Sequence, residues 1–319
     1  MTRRVAIIGA GRVGSSAAYA LQLGRCCDEL VLVDALAELA EGEALDLTHG
    51  RAAAGGPRIL AGGYEQLAGA DLVVVTAGAR RRPEESRLAL IARNAALFRG
   101  VLADLKQVGL RRQAVLLVVT NPVDVLTYLA TAEMGWPAER AIGLGTVLDT
   151  LRFRSLIGER LRLEPTRLEA LIVGEHGDSM VPIASALRYD GAPLSAAPGY
   201  SQAAVEEAFA ATRTAGAAVI RLKGGAGHAV GLAIRQVVEA LLDDGGALLP
   251  VSTVLAGREV APESPGVALS LPTRVRRGGA AGVVMPDMTE EEHRRLVHSA
   301  EVLRQTLEQL ARGAEEESQ

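Results

Sequence analysis

The stretch Val5 to Asp34, VAIIGAGRVGSSAAYALQLGRCCDELVLVD, constrains this chain more than any other. Val5 to Ile8 is a short, unbroken apolar run of the kind buried on both faces of a parallel sheet. Gly9, Gly11 and Gly14 follow at G-x-G-x-x-G spacing. The first glycine allows a tight turn, the second lets backbone approach a pyrophosphate, and the third lets helix and strand pack closely. Ser15 to Leu23 is helical in composition, and its N-terminus presents unpaired N–H groups to a phosphate. Asp34 ends the next strand, about 20 residues past the last glycine, where a carboxylate accepts ribose hydroxyls and repels a 2′-phosphate. Strand, glycines, helix, strand and acid in one unit predict binding of NAD.

The pattern continues along the first half. Ala35 to Gly50 reads as a helix, Ile59 to Ala61 as a short strand and Asp71 to Thr76 as a buried strand. Ala79 to Ser86, polar and Pro-containing, reads as a surface loop before a long helix from Arg87 to Val108. Ala114 to Thr120 is another buried strand, closed by Asn121-Pro122, and Val123 to Leu144 holds a strand, a helix and a short strand. Regular alternation of strands and helices predicts a doubly wound parallel sheet, with its ligand crevice at the strands' carboxyl ends. From about Gly145 the pattern changes. Helices are expected over Val147–Arg160, Ser201–Leu222, His228–Leu242 and Thr289–Ala311, the last opened by a capping box at Thr289 and Glu292. Strand-like runs fall at Leu168–Val173, Val181–Leu187, Leu248–Ala256 and Val267–Leu271, and Gly313–Gln319 is expected to be unstructured. The fold class is therefore α/β: a doubly wound parallel sheet in a dinucleotide-binding domain, residues 1–144. An α+β substrate domain with antiparallel strands follows, residues 145–319.

Composition removes other classes. The chain has 319 residues and a net charge of −4, with no long basic block to hold nucleic acid or an anionic membrane. Its apolar runs stop short of the ~20 residues of a membrane span, and MTRRVAIIG enters a strand at once, which predicts no signal peptide and a cytoplasmic location. The two cysteines, Cys26 and Cys27, are adjacent and read as unpaired thiols in a reducing compartment. No metal is expected.

The sharpest cluster outside the glycine loop is Val173-Gly-Glu-His-Gly-Asp-Ser179, in which His176 is presented between two glycines. Asp149 and Arg152 lie one turn apart on one helix, so both can face the same crevice. Arg87 follows the polar loop, and Asn121 ends a sheet strand where a ligand should lie. Taken together, GAGRVG (9–14), TAGARRRPEESRL (76–88), VVTNPVDVLTY (118–128), LDTLRFR (148–154) and GEHGDSMVP (174–182) resemble the NAD-dependent L-lactate/L-malate dehydrogenases over nearly the whole chain.

That resemblance implies a Rossmann fold and a set of roles. His176 would be the proton donor and acceptor, Asp149 its orienting carboxylate, Arg152 the anchor of the substrate carboxylate, and Arg87 the carbonyl-polarising residue on a closing loop. Asn121 would bond the substrate oxygen. Gly9, Ala10, Gly11, Arg12, Val13, Gly14, Asp34, Asn94, Val119 and Asn121 would line the cofactor. The residue types suit hydride transfer to a 2-oxo acid. Histidine titrates near neutrality, arginine grips a carboxylate through two parallel bonds, and a second arginine stabilises charge on the carbonyl oxygen.

The substrate is read from the loop. Arg81 occupies the position that in this family faces the variable end of the substrate, where glutamine goes with lactate and arginine with malate. A second guanidinium can pair with a second carboxylate, so Arg81 is assigned to substrate binding. GEALDLTH (42–49) also looks like the malate branch, and Ala226 leaves room for a dicarboxylate. Glu84 stands where a glycine is usual. The expected enzyme is a malate dehydrogenase of the tricarboxylic acid cycle, closest to the lactate-dehydrogenase-like malate dehydrogenases, acting on a dicarboxylate as a homodimer or homotetramer. L-lactate dehydrogenase is the alternative, and a non-catalytic NAD-binding protein a remote one.

Overall fold

The computed structural model describes residues 2–80, 82, 84–255, 260 and 266–316. Its first half follows the apolar runs. Strand β1 (Arg4–Ile8) leads into α1 (Arg12–Gly24), β2 (Glu29–Val33) into α2 (Ala37–Ala54), and β3 (Arg58–Ala61) follows. A second set comprises β4 (Leu72–Val75), α3 (Arg87–Lys106), β5 (Val115–Val118), α4 (Val123–Ala132) and β6 (Ala141–Gly143). These six strands pair in parallel in the spatial order β3-β2-β1-β4-β5-β6. The order reverses between β1 and β4, so a crevice opens there at the strands' carboxyl ends.

The unbroken apolar runs have a direct cause. Alternate residues of a strand point to opposite faces, and here both faces are covered. Ala6, Ile8, Val73, Val75, Leu116 and Val118 pack with the buried residues of α3 and α4. Val5, Ile7, Leu72, Val74, Val115 and Leu117 pack on the other side, with Ala17, Ala18 and Leu21 of α1.

In the second half, α5 (Val147–Leu161) precedes five two-residue strands: β7 (Leu168–Glu169), β8 (Ile172–Val173), β9 (Val181–Pro182), β10 (Arg188–Tyr189) and β11 (Ala192–Pro193). Helices α6 (Gln202–Lys223) and α7 (His228–Leu242) come next. The chain closes with β12 (Ala247–Val254), β13 (Ala268–Arg276), β14 (Gly279–Val283) and α8 (Glu290–Glu316). Strands β8 and β9 pair antiparallel, as do β7, β10 and β11.

The structure refines three expectations. Strands β7 to β11 form two small antiparallel sheets of their own, but the last three strands of the second half do not. Instead β12 runs antiparallel to β6 through Ser252 and Gly143, and β13 and β14 continue the same nine-stranded sheet. Ala256, expected to end the first of them, lies outside the described residues. No further strand lies between β5 and α4, because the chain passes from β5 through Pro122 at the helix N-cap straight into Val123. The tail is helical as far as Glu316. Ala and Glu are good helix formers, and extending an established helix avoids the cost of nucleation. The capping box forms as the spacing predicts. The Thr289 N–H donates to Glu292 Oε2 (2.7 Å), and the Glu292 N–H donates to Thr289 Oγ1 (3.2 Å). Glu292 Oε1 also accepts the Ala184 N–H (2.7 Å), which ties α8 to the loop after β9.

The glycine loop is crowded at two of its three glycines. Gly9 has φ 102°, and a Cβ there would lie 2.6 Å from the Ala77 nitrogen. A Cβ on Gly14 would lie 1.8 Å from the Gly9 carbonyl oxygen, whereas one on Gly11 meets nothing within 4 Å. Gly14→Ala should therefore cost at least about 1–3 kcal/mol of stability, and Gly11→Ala should stay within about 0.5 kcal/mol of the parent. Urea unfolding of the two variants checks this; equal losses would contradict the packing.

Candidate active site

The carboxyl ends of β1, β2, β4 and β5 meet around the glycine loop. Thr76 Oγ1, after β4, donates to the Gly9 carbonyl (2.7 Å), and Thr120 Oγ1, after β5, donates to that of Ala77 (2.7 Å). Asp34, at the end of β2, accepts the Ala10 N–H on Oδ2 (2.7 Å) and the Leu36 N–H on Oδ1 (2.9 Å), so its carboxylate sits over the glycine turn. Helix α1 begins at Arg12 with no capping side chain and no acid in its first turn. Its first N–H groups are thus available to an anion, and Gly11 leaves open space in front of them. This donor set, the cleared approach and the adjacent acid fit a dinucleotide. Arg12 and Gly11 are exposed and Val13 and Val119 half-buried. The Arg12 guanidinium donates to the carbonyl of Lys223 at the end of α6.

Asn94 is buried, and its amide is engaged by backbone. It accepts the Ala79 N–H (2.7 Å) and donates to the Asn121 carbonyl (2.9 Å), so it braces two loops. Asn121 itself is exposed beyond the carboxyl end of β5, where Pro122 follows through a cis peptide bond.

His176 is held from two sides. Its turn follows β8, and Gly174, at φ 93°, exchanges backbone bonds with Ser270 of β13. The His176 N–H donates to Asp124 Oδ2 (2.8 Å), in the first turn of α4. Its ring Nδ1 meets Asp149 Oδ2 at 2.5 Å, in the first turn of α5. Asp149 Oδ1 accepts Arg152 Nη1 at 3.0 Å. The structure thus brings together His176, Asp149 and Arg152. Asp149 is 1% exposed, while the His176 and Arg152 side chains keep 19% and 15% of their surface.

Electrostatics follow from this placement. Burial alone would push the His176 imidazolium down, but the charge and hydrogen bond of Asp149, helped by Asp124, outweigh it and hold His176 above its ordinary value. Burial would raise Asp149, yet His176 and Arg152 win and keep it below the usual carboxylate range. Asp124, with weaker compensation, is pushed up to about 6 by burial. His176 and Asp149 thus form a pair whose mutual attraction favours a proton on the imidazole.

Arg87 starts α3 behind the N-cap Ser86, whose hydroxyl accepts the Ala89 N–H (3.1 Å). Its guanidinium bonds Glu175 Oε1 (3.3 Å), lies 3.9 Å from Asp178 and is 66% exposed. Glu84 takes φ 65°, in the left-handed region that the glycine usual at that position occupies freely. The loop is braced by Glu85 rather than Glu84. Its carboxylate receives Arg93 at 3.0 and 2.9 Å, and Arg93 also donates to the Arg80 carbonyl (2.8 Å). Arg81 and Pro83 lie outside the described residues.

Asp124 and Ser299 escaped the sequence reading, and Glu175 and Ser179 stood in the 173–179 cluster without an assigned role. Asp124 had a signal: it is an acid in the otherwise apolar run VDVLTYLA. Ser299 had none, since a serine on an amphipathic helix is ordinarily solvated.

Comparison with known proteins shows the family. Residues 3–143 match the family described as lactate/malate dehydrogenase, NAD binding domain, and residues 146–313 match lactate/malate dehydrogenase, alpha/beta C-terminal domain. The chain is 41% identical over 305 residues to an L-lactate dehydrogenase of a Synechococcus strain, covering 95% of this chain and 98% of that one. It is 42% identical over 308 residues to an L-lactate dehydrogenase of Gloeobacter violaceus, covering 95% and 92%. The ligand-bound crystal structure of the minor L-lactate dehydrogenase from Enterococcus mundtii superposes with a TM-score of 0.90 at 34% identity, covering 96% and 98%. These relatives overturn the malate reading, and with it the dicarboxylate substrate and the tricarboxylic acid cycle. That reading leaned chiefly on Arg81, which lies outside the described residues, with GEALDLTH (42–49) and Ala226 in support, and identity along the whole chain outweighs all three. The cofactor is NAD, and the chain belongs to the lactate/malate dehydrogenase family of NAD-dependent enzymes.

Proposed function

We propose that this protein is an L-lactate dehydrogenase, interconverting pyruvate and L-lactate. The observation that carries the reading is full-length similarity to proteins named L-lactate dehydrogenase, joined to the His176–Asp149–Arg152 cluster. NAD supplies the hydride acceptor in one direction and the donor in the other. The chain's residues then have to bind a carboxylate, polarise a carbonyl and move one proton. Arg152 spends one N–H on Asp149, and the rest of its guanidinium serves the substrate carboxylate. His176 Nδ1 faces Asp149, which leaves Nε2 to give a proton to the carbonyl oxygen or take it from the hydroxyl. Asn121 bonds the same oxygen. Arg87 stabilises charge on it once the 79–86 loop closes and excludes water. Gly9 to Gly14 and Asp34 hold the dinucleotide, with Val119 and Asn121 beside it and Asn94 bracing the loops.

We divide the chain into a dinucleotide-binding domain, 1–144, and a catalytic domain, 145–319, because the last parallel strand ends at Gly143 and α5 begins at Val147. Cys26 and Cys27 are free and buried, with burial pushing both thiols up to about 12, which suits a reducing cytoplasm. No helix among the described residues is long and apolar enough to cross a membrane. A homodimer or homotetramer is supported by exposed apolar side chains on α1, α6 and α7, among them Tyr19, Leu23, Ile220, Leu222 and Leu232.

NADH oxidation with pyruvate and with oxaloacetate tests the assignment. Pyruvate should win by at least about tenfold in kcat/KM, one step of ~1.4 kcal/mol; a preference for oxaloacetate would overturn the lactate reading. His176→Ala should lower kcat by roughly 10²–10⁴-fold while NADH binding, followed by fluorescence, is retained. Loss of NADH binding instead would make His176 structural.

The pH dependence has a definite sign. Pyruvate reduction needs the protonated imidazole, so its rate should persist above the ordinary histidine range and fall as pH rises through the raised value. Lactate oxidation should rise over the same window. Linkage runs the same way: stability from protonated His176 is full below its unfolded value and lost as pH climbs through the folded one. In Asp149→Asn the carboxylate no longer opposes burial, so the basic limb of reduction should move to lower pH. An unmoved limb, read alongside ¹⁵N NMR titration of the ring, would remove Asp149 from the proton-holding pair.

A further inference from the structure

Glu175 is a buried carboxylate to which the reaction assigns no task, and its two oxygens are divided between two partners. Oε1 receives Arg87 (3.3 Å), and Oε2 receives the Ser179 hydroxyl (2.6 Å) and, more loosely, the Ser179 N–H (3.3 Å). The protons can be followed around the cluster. Ser299 Oγ, fully buried on α8, accepts the Glu175 N–H (2.7 Å). Ser179 Oγ spends its own proton on Glu175, so at 3.0 Å from Ser299 Oγ it acts as acceptor. The ring of bonds is closed and oriented, and it anchors Glu175 to α8.

Two glycines make room for it. A Cβ on Gly174 would fall 2.7 Å from Ser299 Oγ, and one on Gly177 would fall 2.6 Å from the Glu175 carboxyl carbon. The glycines flanking Glu175-His176 therefore clear space for this clamp as well as making the turn. A cavity of about 320 Å³, lined by Arg87, Glu175, Ser179, Met180, Arg295 and Val302 among others, lies beside the cluster. Arg87 is held at its rim, two-thirds exposed.

Taken with the lactate dehydrogenase reading on which it rests, this geometry leads us to propose that Glu175 is a positioning residue that tethers Arg87 away from the substrate carbonyl until substrate binds. A buried carboxylate left bare would be strongly destabilising. Here Ser179 keeps Oε2 satisfied after Arg87 leaves, so release costs only the outer half of the carboxylate's contacts. The tether and the carbonyl oxygen compete for one guanidinium, and Glu175 sets how much substrate affinity is used in drawing it in.

Glu175→Gln keeps an acceptor for Ser179 and removes the charge facing Arg87. In ligand-free enzyme, amide hydrogen exchange over residues 84–90 should quicken roughly 2–5-fold, the range of a mostly exposed ion pair. Binding of oxamate, an unreactive pyruvate analogue, to NADH-loaded enzyme should tighten by a similar factor, roughly 2–5-fold. Ser179→Ala withdraws a competing donor from the carboxylate, strengthens its hold on Arg87 and should move both readouts the opposite way. Unchanged exchange in Glu175→Gln with a parent-like circular dichroism spectrum overturns the tether, whatever the substrate. Faster exchange with oxamate binding unchanged or weaker overturns its competition with substrate. Should Glu175→Gln not fold, Ser179→Ala decides: slower exchange supports the tether and unchanged or faster exchange overturns it. A parent enzyme that neither binds oxamate nor turns over pyruvate would sink the lactate reading, and the exchange measurement would still judge the tether.

Discussion

The contact between His176 Nδ1 and Asp149 is the interaction on which the rest of the site depends. It is also where the two halves of the chain are drawn together. Asp149 belongs to α5 in the second half, while the His176 main-chain N–H is bound by Asp124 of α4, in the first. A histidine held at backbone and ring by carboxylates from different halves cannot shift without disturbing both. Removing one member of such a buried pair typically costs about 3–5 kcal/mol, because the other is left uncompensated. The pair is therefore a weak source of stability and a strong source of geometry.

The sheet supplies the frame for that geometry. Six parallel strands end on one side, and short polar bonds from Thr76, Thr120 and Asn94 lace their terminal loops to one another. Loops joined in this way place the glycine turn, Asp34 and Asn121 in one crevice while leaving the N-terminus of α1 open. The antiparallel strands then serve a second purpose. By adding to β6 rather than forming a separate sheet, β12 and β13 bring Ser270 against Gly174 and so fix the height of the His176 turn relative to the crevice.

The electrostatic arrangement is asymmetric. Asp149 is compensated by two cations and stays ionised, whereas Asp124 is buried with less support and rises to about 6. His176 is therefore held at its ring by a carboxylate kept below its ordinary range and at its backbone N–H by one that burial raises. Arg87, most of it in solvent, rests on the Glu175 carboxylate rather than among the His176 partners.

Much of this was legible in the residues. Apolar runs of four or five, each followed by a glycine or an amphipathic helix, leave a chain few options but a doubly wound sheet, since strands buried on both faces need helices on both sides. The spacing of Gly9, Gly11, Gly14 and Asp34 specified the cofactor end, because each glycine answers a local steric demand. Asp149 and Arg152 could be placed together because a helix turn is a fixed length. The joining of β12 to β6, the clamp of Asp124 on His176 and the Glu175–Ser179–Ser299 ring were not legible, because they link residues up to 124 positions apart and no local periodicity records such partners. Substrate choice failed for a related reason: one arginine in a loop was read as a contact, and a contact is a property of tertiary structure. Local chemistry and periodicity determined the elements, the fold class and the cofactor. Only the folded chain decided which buried charges face one another, because that depends on how separate elements pack in space.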